Sequence, residues 1–136
     1  MSEQFQLHPQ LAKDSIWLAD WPLCQLRLIN DANYPWFILV PRRVNIKEVI
    51  DLTEEDQTLL WQESAKLSRL IRVKFNPEKL NVAALGNIVP QLHLHVIGRF
   101  IEDAAWPAPI WGKVAPQPYT KQQLSLLQQD WSAAES

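Results

Sequence analysis

Two histidines, His93 and His95, sit two residues apart in the stretch Gly86-Asn87-Ile88-Val89-Pro90-Gln91-Leu92-His93-Leu94-His95-Val96-Ile97-Gly98-Arg99. Apolar and polar positions alternate through it, the pattern of a strand with one buried face. Leu92, Leu94 and Val96 then reach the core, while Gln91, His93 and His95 share the other face. With a rise of ~3.3 Å per residue, neighbours in that row are ~6.6 Å apart. Two imidazoles so placed can address two oxygens of one phosphate or anhydride. One neutral ring can attack phosphorus while the other, protonated, passes a proton to the departing atom. An unperturbed pKa of about 6.5 suits histidine to either role near neutral pH. Gly86-Asn87 lets backbone N–H groups approach a phosphate closely.

Two other readings compete. A His-x-His pair on a strand can be purely structural. It can also hold zinc or iron, which needs a third and usually a fourth ligand. Cys24, His8, Glu102 and Asp103 are the local candidates, and none stands at a recognisable ligand spacing. No metal and no cofactor is expected.

The elements that must position this pair belong to a chain of 136 residues, 47% hydrophobic and 21% charged. That composition suits one folded domain spanning residues 1–136 and excludes a disordered chain. Thirteen basic against fifteen acidic residues give a net charge of −2, so no positive field recruits nucleic acid. The single cysteine, Cys24, has no partner for an internal disulfide. The first residues carry neither a basic nor an apolar leader segment, and no stretch reaches membrane-spanning length. A cytoplasmic protein that binds neither membrane nor nucleic acid is expected.

Pro9 can open a short helical turn after His8. Ile16-Trp17-Leu18 reads as a short strand and Trp21-Pro22 as a break. Cys24, Leu26 and Leu28 alternate with Gln25 and Arg27 in a half-buried strand ending at Asn30-Asp31-Ala32-Asn33. Trp36-Phe37-Ile38-Leu39-Val40 is a more deeply buried strand stopped by Pro41. Asn45 can cap a short helix through Val49 and Ile50. Thr53-Glu54-Glu55-Asp56 is a capping-box variant opening one long helix, ended by Asn76-Pro77. Its inward stripe is Leu60, Ser64, Leu67 and Ile71, widened by Leu59, Leu70 and Trp61. Leu80, Val82 and Ala84 mark a third strand, and a fourth runs from Val89 to Gly98. Residues 101–136 form an apolar loop rich in Pro and Trp, then a last helix opened by Thr120-Lys121-Gln122-Gln123. No regular βαβ alternation appears, so the class is α+β with a mostly antiparallel sheet.

Asn87-Ile88-Val89-Pro90-Gln91-Leu92-His93-Leu94-His95-Val96-Ile97 resembles the signature of the histidine-triad (HIT) family, His-φ-His-φ-His-φ-φ with φ hydrophobic. The resemblance extends upstream through Asn30 and Phe37-Ile38-Leu39-Val40-Pro41, similar to that family's first substrate strand. Downstream, Trp106-Pro107 resembles the tryptophan-proline element of its Hint branch. The likeness runs from about Arg27 to Gly112.

It implies a five-stranded, mostly antiparallel sheet with one long helix and a C-terminal helix, commonly paired into homodimers. It also implies hydrolysis of nucleoside phosphoramidates, dinucleoside polyphosphates or related nucleotide substrates through a nucleotidyl-histidine intermediate. By this resemblance His93 is the nucleophile and His95 contacts phosphate and assists the leaving group. Asn87 falls beside the phosphate, Asn30 near the ribose, and Asn81 near the phosphate region. Gln91 stands at the first triad position, where a backbone carbonyl of the same segment holds the nucleophile's far nitrogen. Ile88 replaces a common Ser or Thr, and Trp36 replaces a further His. These departures keep a second reading open: a nucleotide-binding module with weak or no catalysis. Arg42-Arg43 and Arg99 read as solvated strand ends or as phosphate contacts. Trp17, Trp61 and Trp131 suit core or interface packing, whereas Trp36, Trp106 and Trp111 are candidates for a pocket or dimer groove.

Overall fold

A computed structural model describes residues 4–135 of the chain. The leader-segment expectation and the outermost ends of the 1–136 span fall partly outside those residues. Among them the chain forms, in order, α1 (Pro9–Asp14), β1 (Ser15–Asp20), β2 (Cys24–Ile29), β3 (Trp36–Pro41), α2 (Glu54–Phe75), β4 (Lys79–Ala83), β5 (Leu94–Arg99) and α3 (Lys121–Glu135). A single 3-10 turn, Val49–Asp51, precedes α2. The strands make one antiparallel sheet in the order β1-β2-β3-β5-β4. The fold is therefore α+β. No helix among the described residues is long and apolar enough to cross a membrane.

The capping chemistry explains where the helices begin. The Thr53 hydroxyl accepts from Asp56 N–H, and three acidic residues fill the first turn of α2, where the helix dipole favours them. Asn76 ends it in the left-handed region at φ 52°. Thr120 and Gln123 exchange side-chain and backbone hydrogen bonds at 3.1 and 2.8 Å, a complete capping box for α3. The short turn before α2 begins differently from expectation. Glu48 caps it, while Asn45 adopts a positive φ in the preceding bend.

One face of the sheet packs against α2 and α3. Leu26, Leu28, Phe37, Leu39, Leu94 and Val96 meet Leu60, Leu67, Ile71 and Trp131 there. Ser64 is buried in the same stripe, but Trp61 is 52% exposed and does not widen it. Trp17 is also on the surface, 42% exposed, so of the three tryptophans read as packing residues only Trp131 lies in the core. The carboxylate of Glu63, buried on α2, accepts from Leu23 and Cys24 N–H at 2.8 and 2.9 Å, stitching the helix to the start of β2. Burial and the neighbouring Glu63 hold the Cys24 thiol in its protonated form.

The other face of the sheet is covered in two parts. Leu11, with Phe5 and Leu7, packs on Ile38 and Val40. The turns of the 101–113 loop lay Ala105 and Ile110 on Tyr34 and Ile97. The expected fourth strand is shorter than its alternation suggests, beginning at Leu94 rather than Val89. Pro90 has no N–H to give to a ladder. Leu92 N–H goes instead to the carbonyl of Ile46, at 2.9 Å. The chain enters the sheet only after His93.

Candidate active site

Between the two covers of the sheet lies a cavity of about 670 Å³, with His93 and His95 among its lining residues. Both histidines are buried, and their rings stand 4.9 Å apart at 66°. His95 lies on β5 with Ile38 of β3 as its cross-strand partner. Trp36, two residues before Ile38 on the same strand face, is the diagonal neighbour of His95 and within side-chain reach. Trp111, from the covering loop, sets its ring edge-on to both His95 and Trp36, at 5.1 and 6.2 Å.

Hydrogen bonding gives the two imidazoles opposite tautomers. Nδ1 of His93 lies 2.8 Å from the backbone carbonyl of Gln91. A carbonyl only accepts, so Nδ1 carries a proton, and in the neutral ring the lone pair is on Nε2. Nδ1 of His95 lies 2.9 Å from the indole Nε1 of Trp36. An indole only donates, so here Nδ1 keeps the lone pair and Nε2 carries the proton. Burial, and then the nearby His93, pull the His95 pKa down to about 3. The expectation of a protonated second histidine is therefore corrected: at neutral pH His95 is an uncharged Nε2–H donor.

The other sequence candidates separate into two groups. Asn30 and Asn87 line the cavity with the histidines. The Asn30 side-chain carbonyl also accepts from Tyr119 N–H at 2.9 Å. Gly86, at φ 74°, turns the loop that brings Asn87 and Val89 to the rim, and Ile88 there is 91% exposed. Gln91 and Asn81, by contrast, are directed elsewhere. The Gln91 amide accepts from His8 N–H and donates to the Gln6 carbonyl, at 2.8 and 2.9 Å. Asn81 Oδ1 accepts from Arg99 Nη1 at 2.7 Å.

Arg99 explains that second displacement. It is buried and forks onto Asp103 at 2.8 and 3.1 Å, and it also donates to the Ala108 carbonyl. Its guanidinium lies 5.7 Å from the ring centres of Tyr34 and Trp106. Arg99 thus pins the loop that carries Trp111 and is neither a solvated strand end nor a phosphate contact. Arg42 donates to the carbonyls of Trp21 and Pro22, and Arg43 pairs with Asp56, both away from the cavity.

Two rim features escaped the sequence reading. Asp31, read only as part of a strand's end, is buried and accepts from Asn33 and Gln117 N–H at 3.0 and 3.2 Å. It anchors the 115–119 segment against the cavity. His8, just before the helical turn expected at Pro9, caps α1 through Nδ1, which accepts from Gln10 N–H at 3.0 Å. Among the described residues no group of three or more His, Cys, Asp or Glu is placed to hold a metal ion.

The chain is a five-stranded antiparallel sheet with His95 on β5 and His93 just before it, both lining one cavity. The HIT domain matches residues 10–102, and the chain belongs to the HIT family. It is similar to a histidine triad protein from Marinobacter aquaeolei, with 45% identity, a TM-score of 0.92, and 98% of this chain and 100% of that one covered. A histidine triad protein from Bradyrhizobium japonicum is 42% identical, with a TM-score of 0.92 and 96% and 98% of the two chains covered. A third, from Sinorhizobium meliloti, is 40% identical with a TM-score of 0.91, covering 95% and 96%. None of the curated proteins matches the chain.

Proposed function

We propose that the protein is a nucleotidyl hydrolase whose nucleophile is His93 Nε2. The observation that carries this reading is the His93 Nδ1 to Gln91 carbonyl hydrogen bond of 2.8 Å, which assigns the lone pair of the neutral ring to Nε2. Attack by that lone pair forms an N–P bond as the bond from phosphorus to the leaving group breaks. The bonding pair departs with the leaving group. His95 Nε2–H, held in the neutral tautomer, donates a hydrogen bond to an oxygen of the phosphorus centre or to the departing atom. Water then attacks the same phosphorus, His93 Nε2 recovers its lone pair, and the water's proton passes to solvent. Asn30 and Asn87 line the cavity where ribose and phosphate would lie, while Gln91 and Asn81 act on the walls.

The reading covers phosphoramidates, dinucleoside polyphosphates and similar phosphoanhydrides or esters. A homodimer is part of the same proposal, and light scattering of the purified protein tests it. For the chemistry, substrate should leave a nucleotidyl mass increment on the wild-type protein when the reaction is quenched early. His93→Ala should carry none and lose roughly four orders of magnitude in turnover, with fold and AMP binding retained. AMP binding without turnover or adduct in the wild type would instead identify a binding module.

A further inference from the structure

We propose that Trp36 restricts this site to leaving groups that depart as stable anions, the phosphate chain of an anhydride rather than an amine or an alkoxide. The inference rests on the hydrolase reading above and sharpens its substrate class. Its basis is the 2.9 Å contact between Trp36 Nε1 and His95 Nδ1. An indole nitrogen can only donate. A proton on Nδ1 would set two N–H groups against each other in a buried site, with neither satisfied. His95 therefore holds one proton, on Nε2. Giving that proton up would leave an imidazolate, so Nε2–H can steady a developing oxyanion but cannot hand it a proton.

No neighbour of His95 supplies the missing acid. Its ring contacts are His93, Trp36 and Trp111. The Nδ1 proton of His93 is held by the Gln91 carbonyl. The other titratable residues lining the cavity are Lys13 and Asp14 on α1, and Asp31, which accepts from Asn33 and Gln117 N–H. The low pKa of His95 acts in the same direction as the geometry.

The two classes of leaving group meet different fates. In an anhydride, the breaking P–O bond leaves its electron pair on a phosphate oxygen, an anion that needs no proton at neutral pH. In an alkyl ester or a phosphoramidate, the same pair would form an alkoxide or an amide ion unless a proton arrives with it. Trp36 is thus a positioning residue acting through His95, and it sets which bond breaks.

The test compares wild-type protein with Trp36→Gln and Trp36→Phe. The substrates are a diadenosine polyphosphate, the methyl ester of AMP and adenosine 5′-phosphoramidate. For the wild type at pH 7, kcat/KM on the polyphosphate should exceed that on the other two at least about tenfold. A glutamine carbonyl can accept from a protonated Nδ1. Trp36→Gln should therefore narrow the ratio about tenfold and make phosphoramidate cleavage rise toward acid pH. Nitrogen NMR of labelled histidine should show His95 protonated only on Nε2 in the wild type, with that restriction lost in both variants. Equal wild-type cleavage of all three substrates, a ratio unchanged in Trp36→Gln, or a proton on wild-type Nδ1 would each overturn the proposal. Absence of any turnover with the Nε2–H form present would show that the hydrolase reading itself had failed, and the leaving-group rule would fall with it.

Discussion

His93 is oriented by the backbone of Gln91 and not by its side chain. The carbonyl of Gln91 takes the Nδ1 proton of His93 at 2.8 Å, while its amide turns the opposite way to hold residues 6 and 8. One residue therefore serves His93 and the N-terminal segment through separate atoms. This accounts for a glutamine at the first triad position alongside an ordered His93 ring.

Gln91→Ala should leave kcat within about twofold, because the carbonyl stays in place. It removes two hydrogen bonds to the N-terminal segment, each contributing about 1 kcal/mol. Faster amide exchange in residues 4–14 and a higher KM are the expected outcome. A large fall in kcat with unchanged KM would count against this division of labour.

His95 makes stability depend on pH. In the folded chain its pKa is depressed to about 3, whereas the unfolded chain takes up a proton near 6.5. The stabilisation is complete above that upper value and is lost as pH falls through the interval below it. Urea unfolding at pH 7 and pH 5 should show the wild type losing about 2 kcal/mol more than His95→Gln. Equal losses would contradict the depressed value.

Asp103 contributes on the acid side of that window. Burial alone would raise its pKa, but hydrogen bonds from Arg99 and from Phe100, Ala105 and Trp106 N–H hold it at about 2. Its contribution is present above the ordinary carboxylate range and disappears as pH falls through about 2. Asp103→Asn leaves the buried Arg99 charge without its anion and should cost about 3–5 kcal/mol by thermal or urea unfolding. Because the loop carries Trp111, KM should rise as well.

Gly98→Ala tests the contact between β5 and α2. A Cβ there would lie 2.9 Å from Pro35 Cγ and 3.2 Å from Ile71 Cγ2. The expected loss is about 1–3 kcal/mol, read from the urea midpoint, with the ring nitrogens of His95 unchanged in NMR spectra. A neutral result would mean that Pro35 and α2 both yield without cost.

The parts of this architecture that depend on neighbours in sequence were legible from it. The Leu60-Ser64-Leu67-Ile71 stripe, the Thr53 and Thr120 caps and the alternation of β2 all use contacts a few residues apart. The pairing of His93 with His95 was equally local. The function of Trp36 was not, because its partner lies 59 residues away and meets it only through the β3–β5 register. Arg99 and Asn81 likewise find each other across two paired strands. The 89–93 segment misled for another reason. Its alternation continues past the end of the ladder, and periodicity alone does not reveal that Pro90 and the Leu92 bond to Ile46 have taken the chain out of the sheet.

The segments around the cavity are fastened by partners distant in the chain's own order: His8 with Gln91 across 83 residues, Asp31 with Gln117 across 86, and Asn30 with Tyr119 across 89. Contacts of such separation carry the largest loop-closure cost and form after local structure. The pocket is then among the last features to be completed as the chain folds. An intermediate with its helices and central hairpin in place would already hold much of its secondary structure, yet would lack a formed pocket. Ligand binding would report arrival at the native state more faithfully than helix content does.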